Sequence, residues 1–145
     1  MQYQYIDDTY LLRVDQGELV HATIHQFCNE HEIHAAWLQG IGAVEFVRCG
    51  YYDLGEREYR FTEYEDLVEV VSYTGNVFRR DGQPAIHAHG LFTQTDNIAF
   101  GGHIDEMRVG VVLEVKLVSL PTTVEREHDD ATGLPLMNLD HKSIR

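Results

Sequence analysis

The alternation of apolar and polar positions divides the chain into one helical stretch followed by many short extended ones. Tyr10-Leu-Leu-Arg-Val-Asp15 has the composition of a short strand. It runs into a helix start, because Asp15 can accept from the free N–H groups of a first turn and Glu18, three residues on, completes a capping-box pattern. The spacing predicts a helix over 16–32. At about 100° per residue, Val20, Ile24, Phe27, Cys28 and His31 share one face, and Glu18, His21, His25, Asn29 and Glu32 share the other. A helix with such faces lies on a core by its apolar side.

From Ala35 onward the period shortens, and strands are predicted over 36–38, 43–52, 59–61, 67–73, 85–93, 98–103 and 109–120. Gly40, Gly42, Gly55, Gly75, Asp81-Gly82 and Asp96-Asn97 stand where the apolar runs break, and Gly and Asn supply the positive φ of tight turns. One helix followed by many strands implies an α+β fold: a mixed or antiparallel sheet of six to seven strands packed with a single N-terminal helix, all in one domain over 1–145. After Pro121 the chain turns polar, with Glu125, Arg126, Glu127, His128, Asp129 and Asp130 close together. Residues 121–145 are therefore expected to form a solvated tail or a strap over a sheet edge.

Composition narrows this picture. A chain of 145 residues, 43% hydrophobic and 24% charged, has the length and makeup of one packed domain and not of a disordered segment. Cys28 and Cys49 are too few for a disulfide framework and lack thiolate-knuckle spacing, so both read as buried reduced thiols. The opening Met-Gln-Tyr-Gln-Tyr-Ile-Asp-Asp has no basic or apolar leader region, and no apolar run nears the roughly 18 residues of a membrane span. A cytoplasmic location with no membrane partner is expected. Eleven Lys and Arg against 24 Asp and Glu give a net charge of -13, whose field repels phosphate backbones and disfavours nucleic acid as a direct partner.

The chemistry concentrates in histidine. His87 and His89 lie in a predicted strand at i and i+2, so both point to one face about 7 Å apart. A hairpin turning near Asp96-Asn97 carries His103 back opposite them. Ala99 and Gly101 share the face of His103 and leave space above it, while Ile86, Ala88, Phe92, Ile98 and Phe100 face the other way, toward a core. Gly101-Gly102 permits a bulge or a close backbone approach beside them. Three neutral imidazoles with an open fourth position describe a catalytic or ligand-binding zinc site rather than a structural one. Spacing alone equally admits half-buried histidines bonded to backbone or lining an interface.

Other motifs carry no chemistry. His21 and His25 have the spacing of a helical metal pair, but Ala22 replaces the glutamate that a His-Glu-x-x-His protease needs, so both read as solvated. Gly40-Ile-Gly42 opens like a dinucleotide fingerprint, yet Glu45 takes the third glycine's place and a strand follows. A nucleophile elbow and a phosphate-binding loop are both absent.

Thr74-Gly75-Asn76, Asp81-Gly82-Gln83-Pro84, His87-Ala-His89, Gly101-Gly102-His103 and Val112-Leu-Glu114-Val resemble, in that order, the plants-and-prokaryotes-conserved (PPC) domain family, as do Gly40-Ile-Gly42-Ala43-Val44 and Tyr51-Tyr52-Asp53. The resemblance implies an α/β domain that assembles as a homotrimer. It also implies that His87, His89 and His103 are metal ligands, as in some bacterial and archaeal members, with Asn76 and Glu114 as candidates to line the site. Plant members join the domain to AT-hooks that read the minor groove. Here no Arg-Gly-Arg-Pro-like segment exists and Arg79-Arg80 is the basic pair, so the stand-alone type is expected.

Three functions follow as expectations. The first is a homotrimeric zinc protein binding a small oxygen-bearing ligand, a metal-dependent hydrolase or lyase if it is an enzyme, with Glu114 or another carboxylate moving protons. The second is a DNA-binding or regulatory module, and the third a structural trimer with unmetallated histidines at its interface.

Overall fold

In the computed structural model, which describes residues 1–139, a hairpin of β1 (Gln2–Ile6) and β2 (Thr9–Asp15) precedes the single helix α1 (Val20–Glu30). The helix is shorter than its periodicity predicts because residues 16–19 are tied to a later strand. The Gly17 N–H donates to the Val109 carbonyl at 2.8 Å, and the Val109 N–H donates back to the Glu18 carbonyl at 3.0 Å. Half of the expected capping box forms: Glu18 Oε2 accepts from the Asp15 N–H at 2.7 Å, but Leu19 occupies the N-cap and no side chain there caps the helix. The cap comes instead from Glu106, whose carboxylate accepts from the N–H groups of His21 at 2.8 Å and Ala22 at 3.1 Å. A negative group there satisfies orphan donors and opposes the positive end of the helix dipole.

The strands that follow are β3 (Ala36–Asp53), β4 (Glu58–Tyr64), β5 (Val68–Arg80), β6 (Gln83–Thr93), β7 (Ala99–Ser119), β8 (Glu125–His128) and β9 (Pro135–Asn138). The class is α+β, and the sheet has nine strands among the described residues. Its extra strands are the N-terminal β1 and the late hairpin β8–β9, whose strands are too short, at four or five residues each, to show in the apolar pattern. Two expected pairs of strands are each one long strand. Gly40 and Gly42 form a bulge within β3 rather than a turn, and β7 runs unbroken through 104–108.

These long strands let the pairing close on itself. β3 pairs with β7 and β5, β5 with β6, and β6 with β7. Inside this circuit Leu38, Val44, Val47, Tyr73, Val77, Phe92, Met107 and Leu113 are buried, and Val20, Ile24, Phe27 and Cys28 of α1 pack against it. Full burial of such side chains is worth about 1.5–3 kcal/mol each. His31, expected on the apolar face, is half-buried with its ring 4.3 Å from that of Phe27. No helix among the described residues is long and apolar enough to cross a membrane.

Candidate metal centre

The site lies where β6 meets the start of β7. On β6 the alternation puts Ala88 in the core and His87 and His89 on the opposite face. On β7, His103 stands directly across from His89 in the β6–β7 register and across from Gly50 in the β3–β7 register, at the point where β7 changes partner. Gly102 makes that change possible. Its φ is +150°, and a Cβ there would collide with the Gly50 carbonyl oxygen, so only glycine brings the strands together.

The three rings converge, with centroids 5.2 Å apart for His87–His89, 5.3 Å for His87–His103 and 5.5 Å for His89–His103. One ligand nitrogen from each lies within 4.8 Å of the others, near enough for all three to face one ion. Burial holds the His87 imidazole below its ordinary pKa, helped by Arg126 and His89. Burial, followed by its histidine neighbours, holds His103 down to about 4. Both rings are therefore neutral at pH 7, the form with a lone pair to give. His103 Nδ1 is buried without a hydrogen-bond partner, so its ring carries unmet polar valence in the protein as folded. The donor set and this orphan nitrogen fit a divalent ion.

Of the expected neighbours, Asn76 is brought to the histidines and Glu114 is not. Asn76 pairs with His87 across β5 and β6. Glu114 lines a separate hollow with Arg13, Gln39, Ile41 and Lys116. Ile98 is 62% exposed in the turn before β7 rather than in the core, because the strand begins only at Ala99. His21, expected on a solvated face, is largely buried beside Glu106, and its Nδ1–H donates to the Asp105 carbonyl at 3.0 Å.

Two residues of the site had no signal in the pattern. Tyr59 of β4 stacks on His103 with ring centroids 4.5 Å apart. Arg126 of β8 donates to Asn76 Oδ1 at 2.6 Å and, with Tyr59, His87 and His103, lines a cavity of about 280 Å³ beside the centre. Both come from elements remote in sequence, and a lone Tyr or Arg in a polar stretch has no period to mark it.

A sequence model of the Plants and Prokaryotes Conserved (PCC) domain matches residues 1–121. The chain belongs to this family. Among solved structures, this PCC-domain protein is similar to a metal-containing protein from Archaeoglobus fulgidus, with 33% identity over 96% of this chain and 99% of that one, at a TM-score of 0.86. A plant- and prokaryote-conserved protein from Pyrococcus horikoshii is 31% identical over 97% and 96% of the two chains, also at 0.86. A candidate DNA-binding protein from Ralstonia eutropha JMP134 is 27% identical over 95% and 96%, at 0.90. No curated protein matches the chain. The matched span of the family ends before Arg126, so the β8–β9 hairpin lies outside it.

Proposed function

We propose that this PCC-domain protein binds a divalent metal, zinc above others, through His87, His89 and His103, and presents the ion's open position to a small oxygen-bearing ligand. The observation that carries the reading is the convergence of three ring nitrogens within 4.8 Å of one another. The metal-containing relative from Archaeoglobus fulgidus supports it. Three protein ligands leave a fourth position free, as in catalytic rather than structural zinc sites. A zinc ion held there supplies a Lewis acid for an oxygen of the ligand, which suits a hydrolase or lyase. A proton carrier for such chemistry would come from Tyr59, the hydroxyl that lines the cavity, since Glu114 faces another hollow. Burial raises the Tyr59 pKa and keeps its hydroxyl protonated.

The working form in this reading is a homotrimer. Leu11, Ile41 and Val71, 47%, 58% and 48% exposed, line one open hollow on the sheet, and a neighbouring subunit would cover such a surface. Metal analysis of protein purified without an affinity tag tests the reading. The expected result is one equivalent of zinc or a competing divalent ion per chain in the wild type and little in His89→Ala. Equal content in the two would sink it. Sedimentation with and without chelator reads the assembly and separates this function from an unmetallated trimer.

A second reading, a DNA-associated module, draws on the Ralstonia eutropha relative and is opposed by the net charge of -13. A gel-shift titration at low salt decides it: binding that weakens steeply with added salt favours DNA, and no shift removes it.

A further inference from the structure

The cavity beside the three histidines has a charge pattern that runs against the rest of the molecule. The chain carries 24 Asp and Glu, yet among the described residues none lines this cavity, while Arg80 and Arg126 both do. Arg126 is the better placed of the two. Its guanidinium is half-buried, packs 5.4 Å from the Phe78 ring, and is held by two neutral acceptors, Asn76 Oδ1 at 2.6 Å and the Pro135 carbonyl at 3.2 Å. Two of its five N–H groups are used in this way, and its Nε is buried with no partner. A guanidinium partly withdrawn from water, fixed in direction and left with open donors has a charge still to be neutralised.

We propose that Arg126 is the anion anchor of the three-histidine site and that the ligand is a small organic carboxylate, with its carboxylate on the guanidinium and a second oxygen toward the metal. The inference rests on the metal reading and adds the substrate class. A planar fork of N–H donors matches the two oxygens of a carboxylate. The volume of about 280 Å³ admits a molecule of a few carbons, and the apolar lining from Ile86, Leu134, Pro135 and Leu136 suits a carbon body better than an inorganic anion. The overall negative field then selects by locality, since a small anion is attracted only where the arginines outweigh it. Arg126 sits on β8, in the C-terminal hairpin that follows the matched family span.

Calorimetric titration of the metal-loaded protein with glycolate, lactate and pyruvate tests this, with lactamide as the neutral counterpart and inorganic phosphate as the inorganic anion. The expected result is binding of at least one carboxylate, none of lactamide, and phosphate weaker than the best carboxylate. Arg126→Gln is expected to weaken the carboxylate at least about 30-fold at unchanged metal content, and Arg126→Lys to restore part of it. Should Arg126→Gln unfold the hairpin, Asn76→Ala keeps the charge while releasing the guanidinium, and is expected to weaken binding about 3- to 10-fold. No carboxylate binding, equal binding of lactamide, tighter binding of phosphate, or affinity indifferent to these substitutions would each overturn the proposal. The two readings fail separately. If the protein holds no metal but still binds a carboxylate in an Arg126-dependent way, the metal reading falls and the anchor stands; if metal is held and Arg126 is irrelevant, the reverse is true.

Discussion

The larger hollow on β1, β2, β3, β5 and β7, about 690 Å³, and the cavity of about 280 Å³ beside β6 are parts of one sheet, yet their charges are arranged in opposite ways. In the larger one Arg13 is ion-paired with Asp15 at 2.8 Å, and Glu114 stands directly across from it in the β2–β7 register, with Lys116 on the same lining. Charges of both signs thus stand together in that region, so its cations have acidic neighbours within the fold. In the smaller one Arg126, a buried Nε and an orphan His103 nitrogen have no anionic answer among the lining residues. Volume alone would point to the first hollow; unmet valence points to the second.

The largest break in this contrast comes from Gly102→Ala. A side chain at φ +150° that meets the Gly50 carbonyl is expected to cost about 3 kcal/mol or more and to pull His103 out of register. Chemical denaturation together with metal content reads both effects, and a stable, fully metallated variant would contradict the geometry. Next is Glu106→Ala, which removes the α1 cap and is expected to cost about 1–2 kcal/mol by the same denaturation. Its carboxylate serves the helix and not the ion, so three-histidine metal binding should persist.

A smaller effect concerns pH and His21. Burial lowers its pKa in the folded protein, against an opposing pull from Glu106 and Asp105. Below 6.5 the unfolded chain binds a proton that the folded one resists, so stability falls as pH drops from 7 toward 5. The melting temperature of His21→Gln is expected to fall less over that range than that of the wild type. Smallest of all is Glu114→Gln in the larger hollow: a stability change within about 0.5 kcal/mol and no change in metal content. Loss of metal there would erase the distinction between the two cavities.

How much of this was written in the residues varies by element. The apolar face of α1, the Ala88 and Phe92 side of β6, and the return of His103 opposite His89 follow from periods of 3.6 and 2, which are local and survive in one dimension. The helix begins at Val20 rather than at 16 because Gly17 and Glu18 are hydrogen-bonded to Val109 of β7, and Glu106, 85 residues from His21 in sequence, accepts from the first free N–H groups. Gly40 and Gly42 looked like turn residues, but the same freedom of backbone serves a bulge inside a long strand, and only the β7 partner distinguishes the two.

The histidine spacing, the double glycine and the polar face of β6 are properties of the chain alone, since side-chain alternation and the demand for glycine act between neighbours. The placement of Tyr59 and Arg126 against those histidines was decided only when β4 packed beside β3 and β8 beside β5, and Glu114 lies away from them because β7 runs on unbroken to pair with β2. Such pairings join segments far apart in the chain, and their free energy belongs to the closed sheet as a whole rather than to any run of residues within it.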